Sequence, residues 1–460
     1  MVKGETESMT DVLHLKPEDV DAIEKRGKHS VCVVGCERLG IAYAVAFGEA
    51  GFKVVCADAD QSIVKRLAKG RTAFSTRELE SKLKNCLRSG ALNVTSDVKS
   101  AVTQSEIIIL STNLKIDAKK NSDFSEPENL CTQIGSVMQR GGLVIYGGMT
   151  SFGFTEGVVK EALENTSGFK AGTDFGLAYI NSQAVEREQL IECFSDQEWT
   201  VAANDKMSLD AASLLMSTAT KKTLRQTMNI KVAELATLFA VARRDVTVAL
   251  TNELAVLCEK ATVDQFEVMK LMNRELQASG NGPTIAEGGE ETEAYLLLES
   301  AENLGVKLRL PELARQVNEG MVRHAISLTQ DTLRSGSKTL RRARIAVLGA
   351  SGPGTFGASL VKILEAKGAR INLYDLRGER SEGAETAHVS KRTLNEAVEN
   401  SDCIIILTVE DQFKRLNLKS LRSLMKTQAA IVDLAGLFEP ELVESEGFIY
   451  RGLGRGVELK

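Results

Sequence analysis

The sequence places Gly35, Glu37 and Gly40 between two apolar runs, and Asp58 ends the second run. A strand, a glycine turn, a helix and a second strand that ends in an acid form the dinucleotide-binding βαβ unit. The first glycine permits the turn, the second admits backbone amides to the pyrophosphate, and the third lets helix and strand pack closely. Gly35 and Gly40 take the first and third positions, whereas Glu37 takes the second. The pattern predicts the fold, and the Glu37 carboxylate opposes a bound phosphate.

A second glycine-rich loop follows an apolar run near residue 348. Gly352, Gly354 and Gly357 have the G-x-G-x-x-G spacing, and Asp375 ends the next apolar run. The loop begins three residues late after its strand, so two alternatives stay open: a phosphate site for a dinucleotide or mononucleotide, or a flexible glycine turn.

The two glycine-rich loops lie within regions where predicted strands and helices alternate. Strand and helix patterns alternate from residue 30 to about 201 and again from about 341 to 460, which predicts two mostly parallel sheets covered on both faces. We therefore predict an α/β protein with two Rossmann-like doubly wound domains joined by a helical domain. The predicted divisions are an N-terminal extension (1–29), a dinucleotide-binding-type domain (30–208), a central helical domain (209–330) and a C-terminal Rossmann-like domain (331–460).

The central region is predicted to contain one long helix, over residues 231–260, with apolar residues at helical spacing. One small core cannot cover the apolar face of such a helix, which favours packing against a second copy and hence a homodimer. The alternative is a helix that is covered within the monomer.

The charge and composition of the chain argue against a nucleic-acid-binding protein and against a membrane-spanning one. A net charge of −5 and a pI near 5.7 argue against a nucleic-acid-binding surface, and no run of 18 apolar residues offers a membrane span. The eight cysteines include no C-x-x-C pair and lie mostly in apolar segments, as do Cys32, Cys56, Cys258 and Cys403. We therefore expect reduced core thiols, no metal site and a cytoplasmic location.

The opening βαβ unit and four other segments have the same order and spacing as corresponding segments in the proteins of a known family. They are the opening unit that ends in Asp58, AFSTRELESKLKNCLRSGALNVTSDVKSAV at 73–102, SGFKAGTDFGLAYI at 167–180, AELATLFAVARRDVTVALTNELAVLCEK at 233–260 and GFIYRGLGRG at 447–456. From residue 30 to 456 the chain thereby resembles the UDP-glucose/GDP-mannose dehydrogenases, which include UDP-N-acetylmannosamine dehydrogenases. The resemblance implies NAD-dependent oxidation of the C6 alcohol of a UDP-sugar, first to an aldehyde that a cysteine captures and then to an acid.

The resemblance also implies four catalytic positions, and the chain departs from the family at each. The cysteine of the family's glycine-rich segment falls on Glu291, the lysine of the long helix on Thr237, and the asparagine four residues later on Val241. The family's carboxylate after the strand that ends at Tyr179 falls on Ser182, and Glu186, one helical turn on, is the candidate substitute base.

No cysteine lies between residues 258 and 403. Because a carboxylate cannot form a thiohemiacetal, the family's route to the second oxidation is closed.

The chain matches the family better at the positions that the resemblance implies for cofactor binding than at the catalytic positions. They are Gly35, Gly40, Asp58, Thr112, Thr155 and Glu156. Asp58 would bind the ribose of NAD rather than admit a 2′-phosphate. NAD is thus the expected cofactor, and the Glu37 carboxylate is the feature that opposes binding of its phosphates.

Three functions remain open. The chain is an active NAD-dependent UDP-sugar dehydrogenase, or an inactive paralogue that binds a nucleotide or UDP-sugar and regulates an active partner in mixed dimers. The third is an oxidoreductase for a single alcohol oxidation, with Glu186 or the Glu290–Glu293 cluster as base. The four substituted positions favour the inactive paralogue.

Overall fold

The structure is a computed structural model, and it describes residues 12–72, 77–117, 119–182, 194–272, 290–349, 355–374 and 389–456. The chain forms two compact units. The N-terminal unit comprises residues 1–241 and 295–306, and the C-terminal unit comprises residues 242–294 and 307–460.

The N-terminal unit is built on an eight-stranded sheet of order β10-β9-β8-β7-β4-β1-β2-β3. Its strand pairs are parallel except for β8 with β9, which is antiparallel. Strands β5 and β6, which lie between β4 and β7 in the chain, form a separate two-stranded antiparallel ribbon. The strands are β1 Ser30–Val34, β2 Lys53–Ala57, β3 Leu92–Thr95, β4 Ile107–Leu110, β5 Lys115–Ile116, β6 Ser122–Asp123, β7 Leu143–Tyr146, β8 Gly176–Ser182, β9 Trp199–Ala203 and β10 Arg225–Thr227.

Helices cover both faces of this sheet, as burial of its strands requires. Short 3₁₀ turns form at Val12–His14, Pro17–Asp19 and Phe194–Asp196, and one π-helical turn at Thr155–Val159. The helices are α1 Ile23–Arg26, α2 Arg38–Glu49, α3 Gln61–Leu67, α4 Arg77–Ser89, α5 Val98–Thr103, α6 Ser125–Gly135, α7 Lys160–Ser167 and α8 Lys206–Ala219.

The core of the N-terminal unit surrounds helix α2, which is buried from Gly40 to Gly48. The small residues of this helix let it approach strands β1 and β2 closely. Trp199, the only tryptophan of the chain, is fully buried in this core with its ring centroid 4.5 Å from that of Phe194.

The C-terminal unit contains a six-stranded, fully parallel sheet of order β13-β12-β11-β14-β15-β16. Its strands are β11 Arg344–Leu348, β12 Arg370–Tyr374, β13 Val389–Ser390, β14 Cys403–Ile406, β15 Ala430–Asp433 and β16 Ile449–Gly452. Separate apolar cores cover the two faces of the sheet.

The remaining helices include the two longest of the described residues. The long helix α9, Ile230–Ala261, begins in the N-terminal unit and ends in the C-terminal unit, and it agrees within a residue at each end with the helix predicted at 231–260. The others are α10 Gln265–Leu271, α11 Glu290–Asn303, α12 Arg309–Ser335, α13 Phe356–Ala366, α14 Leu394–Val398, α15 Asp411–Lys414, α16 Leu418–Leu424 and α17 Pro440–Ser445.

Buried polar contacts join α9 to α12 inside the C-terminal unit. The Arg315 guanidinium donates to Asp245 Oδ1 at 2.6 Å, and Asn318 Nδ2 donates to the same oxygen at 2.9 Å. The predicted fold class is confirmed, whereas the four-part division of the chain stays a prediction. In the part of the chain that the structure describes, no helix is both long and apolar enough to cross a bilayer.

Candidate functional site

The turn after β1 requires glycine at the two positions that the sequence pattern singled out. Gly35 has φ +92°, a left-handed conformation, and a Cβ there would lie 2.7 Å from the carbonyl oxygen of Ser111. A Cβ on Gly40 would lie 1.9 Å from the carbonyl oxygen of Gly35. The turn is thus closed tightly against the start of α2, whose first backbone N–H groups have no partner within the helix and can bind an anion.

Glu37 occupies the N-cap position of α2, and its side chain makes no capping hydrogen bond. Its side chain is exposed. Loss of hydration raises the pKa of Glu37, the Lys115 ammonium opposes this, and the Glu126 and Asp58 carboxylates add to it. An exposed carboxylate without a fixed partner in the cap obstructs a phosphate less than a buried one would.

Asp58 joins the end of β2 to the same turn. Its Oδ2 accepts a hydrogen bond from the Cys36 amide at 2.7 Å, and its Oδ1 accepts one from the Asp60 amide at 2.9 Å. The carboxylate is half-buried and lies at the carboxyl edge of the sheet, where doubly wound folds bind nucleotides.

A disulfide between Cys36 and Cys56 links the turn to β2, with the two Cα atoms 6.2 Å apart. The expectation of reduced thiols is therefore wrong for Cys56, because the parallel pairing of β1 and β2 brings residues 20 positions apart together. Cys32, Cys258 and Cys403 are free and buried, as expected.

The loops after β4 and β7 meet at the same edge. A Cβ on Gly148 would lie 2.1 Å from the Thr112 carbonyl oxygen, which also accepts a hydrogen bond from the Tyr146 hydroxyl at 2.6 Å. Among the described residues, the buried hydroxyls of Ser111 and Thr112 have no hydrogen-bond partner. Buried hydroxyls are normally satisfied, so these two are available for hydrogen bonds to a polar ligand at this edge.

Thr155 and Glu156, two of the predicted cofactor residues, are held by the first turns of α9. The Thr155 amide donates to Glu234 Oε1 at 2.9 Å, and the Lys231 ammonium lies 2.9 Å from Glu156 Oε2. Burial acts against the charge of Glu156, but hydrogen bonds from Lys231 and Asn204 outweigh it and hold its pKa below the usual value. Glu156 is therefore occupied by protein partners.

Thr237, at the position of the family's lysine, uses its whole hydrogen-bonding capacity inside the protein. Its Oγ1 donates to the Ala233 carbonyl at 3.0 Å and accepts from Asn181 Nδ2 at 2.7 Å and from the Tyr179 hydroxyl at 3.3 Å. A hydroxyl has one proton and two lone pairs. Thr237 is thus a buried link between α9 and the end of β8, with no group left for a substrate.

The other positions predicted to be catalytic lie on three separate elements. Val241 is buried and apolar on the same face of α9 as Thr237. Ser182 ends β8 and pairs with Trp199 in backbone register, and Glu291 lies in the first turn of α11. Glu186 lies outside the described residues, as do Gly352, Gly354 and Asp375 of the C-terminal loop, whereas Gly357 lies in α13.

Sequence reasoning missed Glu234, Asn181 and Tyr179. Glu234 precedes Thr237 by three positions and Val241 by seven, so all three share one face of α9. That spacing was a usable signal for Glu234, whereas the two β8 residues have no local signature.

A dinucleotide fits this edge of the N-terminal unit. Gly35 and Gly40 shape the phosphate turn, Asp58 stands where a ribose hydroxyl would bind, and Ser111 and Thr112 offer unpaired hydroxyls. No group of three or more metal-ligating side chains occurs among the described residues.

Three sequence profiles of one family match successive parts of the chain. The UDP-glucose/GDP-mannose dehydrogenase family's NAD binding domain matches residues 29–220, its central domain residues 231–320 and its UDP binding domain residues 357–440.

Individual relatives extend over nearly the whole chain. A UDP-N-acetyl-D-mannosamine dehydrogenase of Pyrococcus horikoshii is 29% identical over 439 residues, which are 93% of this chain and 99% of the relative. A UDP-glucose 6-dehydrogenase of Rhizobium meliloti is 24% identical over 92% of this chain and 99% of its own. The solved structure of a UDP-D-ManNAc dehydrogenase from P. horikoshii superposes with a TM-score of 0.81 at 27% identity, and covers 93% of this chain and 99% of that one.

Proposed function

Because the chain belongs to the UDP-glucose/GDP-mannose dehydrogenase family, we propose that it is an NAD-dependent dehydrogenase that oxidises an alcohol of a UDP-sugar. The observation that carries the proposal is the intact carboxyl edge of the N-terminal unit, where the glycine turn, Asp58 and two unpaired hydroxyls converge. The substituted positions of the chain had favoured an inactive paralogue, but the relatives that share nearly its whole length are named as dehydrogenases.

NAD is the cofactor that these residues suit. Backbone amides at the start of α2 would bind the pyrophosphate, and the Asp58 carboxylate would accept a ribose hydroxyl while repelling a 2′-phosphate. The objection raised by Glu37 weakens because its side chain is exposed and makes no capping hydrogen bond. When bound, NAD would accept the hydride from the alcohol carbon, and the hydroxyl proton would pass to water.

The side chains of this chain limit the reaction to one oxidation. Thr237 has no proton or lone pair left for the substrate, and Val241 offers no hydrogen bond. The sequence has no cysteine between residues 258 and 403, so no thiolate from that segment can retain the aldehyde for a second oxidation. We therefore expect the first product, an aldehyde, to leave the enzyme.

A homodimer through α9 forms part of the proposal. Val232, Phe239, Leu250 and Leu257 are each more than half exposed, and their spacings of 7, 11 and 7 place them within about 20° of one another around the helix. A narrow apolar stripe of this kind favours helix packing between two copies.

The second candidate function is a nucleotide-binding paralogue that regulates an active partner in mixed dimers. The saturated hydroxyl of Thr237 favours it, because the position of the family's lysine has become a structural contact.

Turnover separates the two candidates. Purified protein is incubated with NAD and, in separate reactions, UDP-glucose and UDP-N-acetylmannosamine, and NADH absorbance is followed. A steady rate that requires both NAD and one UDP-sugar supports the dehydrogenase. Binding of NAD and of a UDP-sugar by calorimetry, without any NADH, would contradict it and support the regulatory paralogue.

A further inference from the structure

Glu234 is a fully buried carboxylate whose two oxygens bind backbone amides of one loop. Its Oε2 accepts from the Gly153 amide at 2.6 Å, and its Oε1 accepts from the Thr155 amide at 2.9 Å. Both hydrogen bonds are charge-assisted while Glu234 is ionised, and such bonds are stronger than those between neutral groups.

The loop that Glu234 holds is the connection from β7 to the π-helical turn Thr155–Val159. It leaves the sheet at the edge where Gly148 packs on the Thr112 carbonyl. Gly153 has φ +79°, a left-handed conformation that glycine adopts without strain, and its amide is bound by Glu234. The two contacts to α9 hold the end of the loop, whereas its start is held by Asn113, whose Oδ1 accepts from the Met149 amide at 2.8 Å.

We propose that Glu234 is a positioning residue that holds the loop of residues 147–155 in the conformation that binds NAD. The inference rests on the proposed function for the identity of the ligand, but the contact between Glu234 and the loop is independent of it. Glu234 does not touch the reacting atoms, so its effect is exerted through Gly153 and Thr155.

Among the residues that the structure describes, four ionisable groups face Glu234 from the elements packed around it. They are Tyr146 on β7, Tyr179 on β8, Glu156 on the π-helical turn and Lys231 on α9. Burial raises the pKa of Glu234 to about 7, the Gly153 and Thr155 hydrogen bonds oppose this shift, and Glu156 adds to it. Thr237, one turn along the helix, supplies no positive charge to offset the burial.

Protonation of Glu234 should change the free energy of unfolding and the affinity for NAD in opposite directions. Because the folded-state pKa of Glu234 is raised, its protonated form is favoured by folding, and stability falls as the pH rises from about 5 to about 8. Protonation of Glu234 removes an acceptor from one loop amide. As the pH rises and Glu234 loses this proton, loop order and NAD affinity therefore rise over the same interval. A residue with a merely structural role would shift both quantities in the same direction.

The test compares wild type with Glu234→Gln, and uses Glu253→Gln, an exposed site on the same helix, as the matched control. NAD dissociation constants are measured by calorimetry at pH 5.5 and 8.5. We expect wild type and Glu253→Gln to bind NAD about tenfold more tightly at pH 8.5, the value of one charge-assisted hydrogen bond. Glu234→Gln should bind about tenfold more weakly than wild type at pH 8.5, with little dependence on pH.

Two further readouts do not depend on NAD. Hydrogen–deuterium exchange of the peptide spanning residues 147–159, corrected for the intrinsic pH dependence of exchange, should show greater protection at pH 8.5 than at 5.5 in wild type and the same protection at both in Glu234→Gln. The urea midpoint followed by Trp199 fluorescence should fall with rising pH in wild type and Glu253→Gln but not in Glu234→Gln.

The outcomes separate the two proposals. Equal pH profiles of loop protection in wild type and Glu234→Gln would overturn the positioning role, whether or not NAD binds. Loss of NAD binding at every pH in wild type, together with the expected exchange pattern, would instead refute the cofactor assignment and leave the positioning role supported. If Glu234→Gln fails to fold, wild-type loop protection that is unchanged between pH 5.5 and 8.5 overturns the inference alone.

Discussion

Replacing Gly40 by alanine should disrupt the nucleotide turn, and the structure fixes the size of the effect. The new Cβ would lie 1.9 Å from the Gly35 carbonyl oxygen, about 1 Å closer than carbon and oxygen atoms approach without a backbone shift. The oxygen belongs to backbone, so no side-chain rotation relieves the overlap. We expect a loss of about 3 kcal/mol in the free energy of unfolding, the upper end for overpacking.

Urea unfolding followed by Trp199 fluorescence reports this change, because the only tryptophan is buried in the core of the same unit. The midpoint should fall by about 1 M, and NAD affinity should fall at least about tenfold as the backbone amides move. Gly157→Ala is the matched control, since a Cβ there meets nothing within 4 Å; it should change stability by less than about 1 kcal/mol. Equal midpoints for Gly40→Ala and wild type would refute the close packing described for the turn.

Three other changes test separate parts of the structure. Thr237→Val should destabilise the N-terminal unit by about 1–3 kcal/mol in urea, because it leaves the buried Tyr179 hydroxyl and the half-buried Asn181 amide without an acceptor; an unchanged midpoint would contradict the hydrogen-bonded link. Reduction of the Cys36–Cys56 disulfide should lower the stability of the same unit by about 3 kcal/mol, given the sequence separation of 20 between the cysteines. A Cys56→Ser variant should be insensitive to reductant, and a wild type that is equally insensitive would argue against the bridge. Leu250→Asp should convert a dimer into monomers in light scattering behind size exclusion, and a wild type that is already monomeric would contradict the proposed packing of α9.

The sequence was sufficient for the fold because its strongest signals are local. The turn at Gly35 and Gly40, the acid at Asp58 and the helical periodicity of residues 231–260 each lie within one element or one βαβ unit. The parallel pairing of most strands in both sheets then follows from the right-handed connection of strand, helix and strand.

Long-range contacts at the site lay beyond the sequence pattern. The contact of Glu234 with Gly153 joins residues 81 positions apart, and that of Asn181 with Thr237 joins residues 56 apart. Neither pair has a spacing that any one element imposes.

Other features were recoverable in part. The helical segment after β7 begins as a π-helical turn, whose irregular start places the Thr155 amide against Glu234. The pairing of β1 with β2 could have suggested that Cys36 and Cys56 meet, because Cys56 lies opposite Val33 in the register.

The number of NADH molecules formed per UDP-sugar tests the central claim most directly. A limiting amount of the UDP-sugar that supports turnover is consumed completely in excess NAD, with a carbonyl reagent present to trap aldehyde, and NADH is counted by absorbance. A single NADH per sugar, with the trapped aldehyde identified by mass spectrometry, is the result that the geometry of Thr237 and Val241 and the missing cysteine predict. Two NADH per sugar and a carboxylic acid product would contradict the account, as would the absence of NADH with every UDP-sugar.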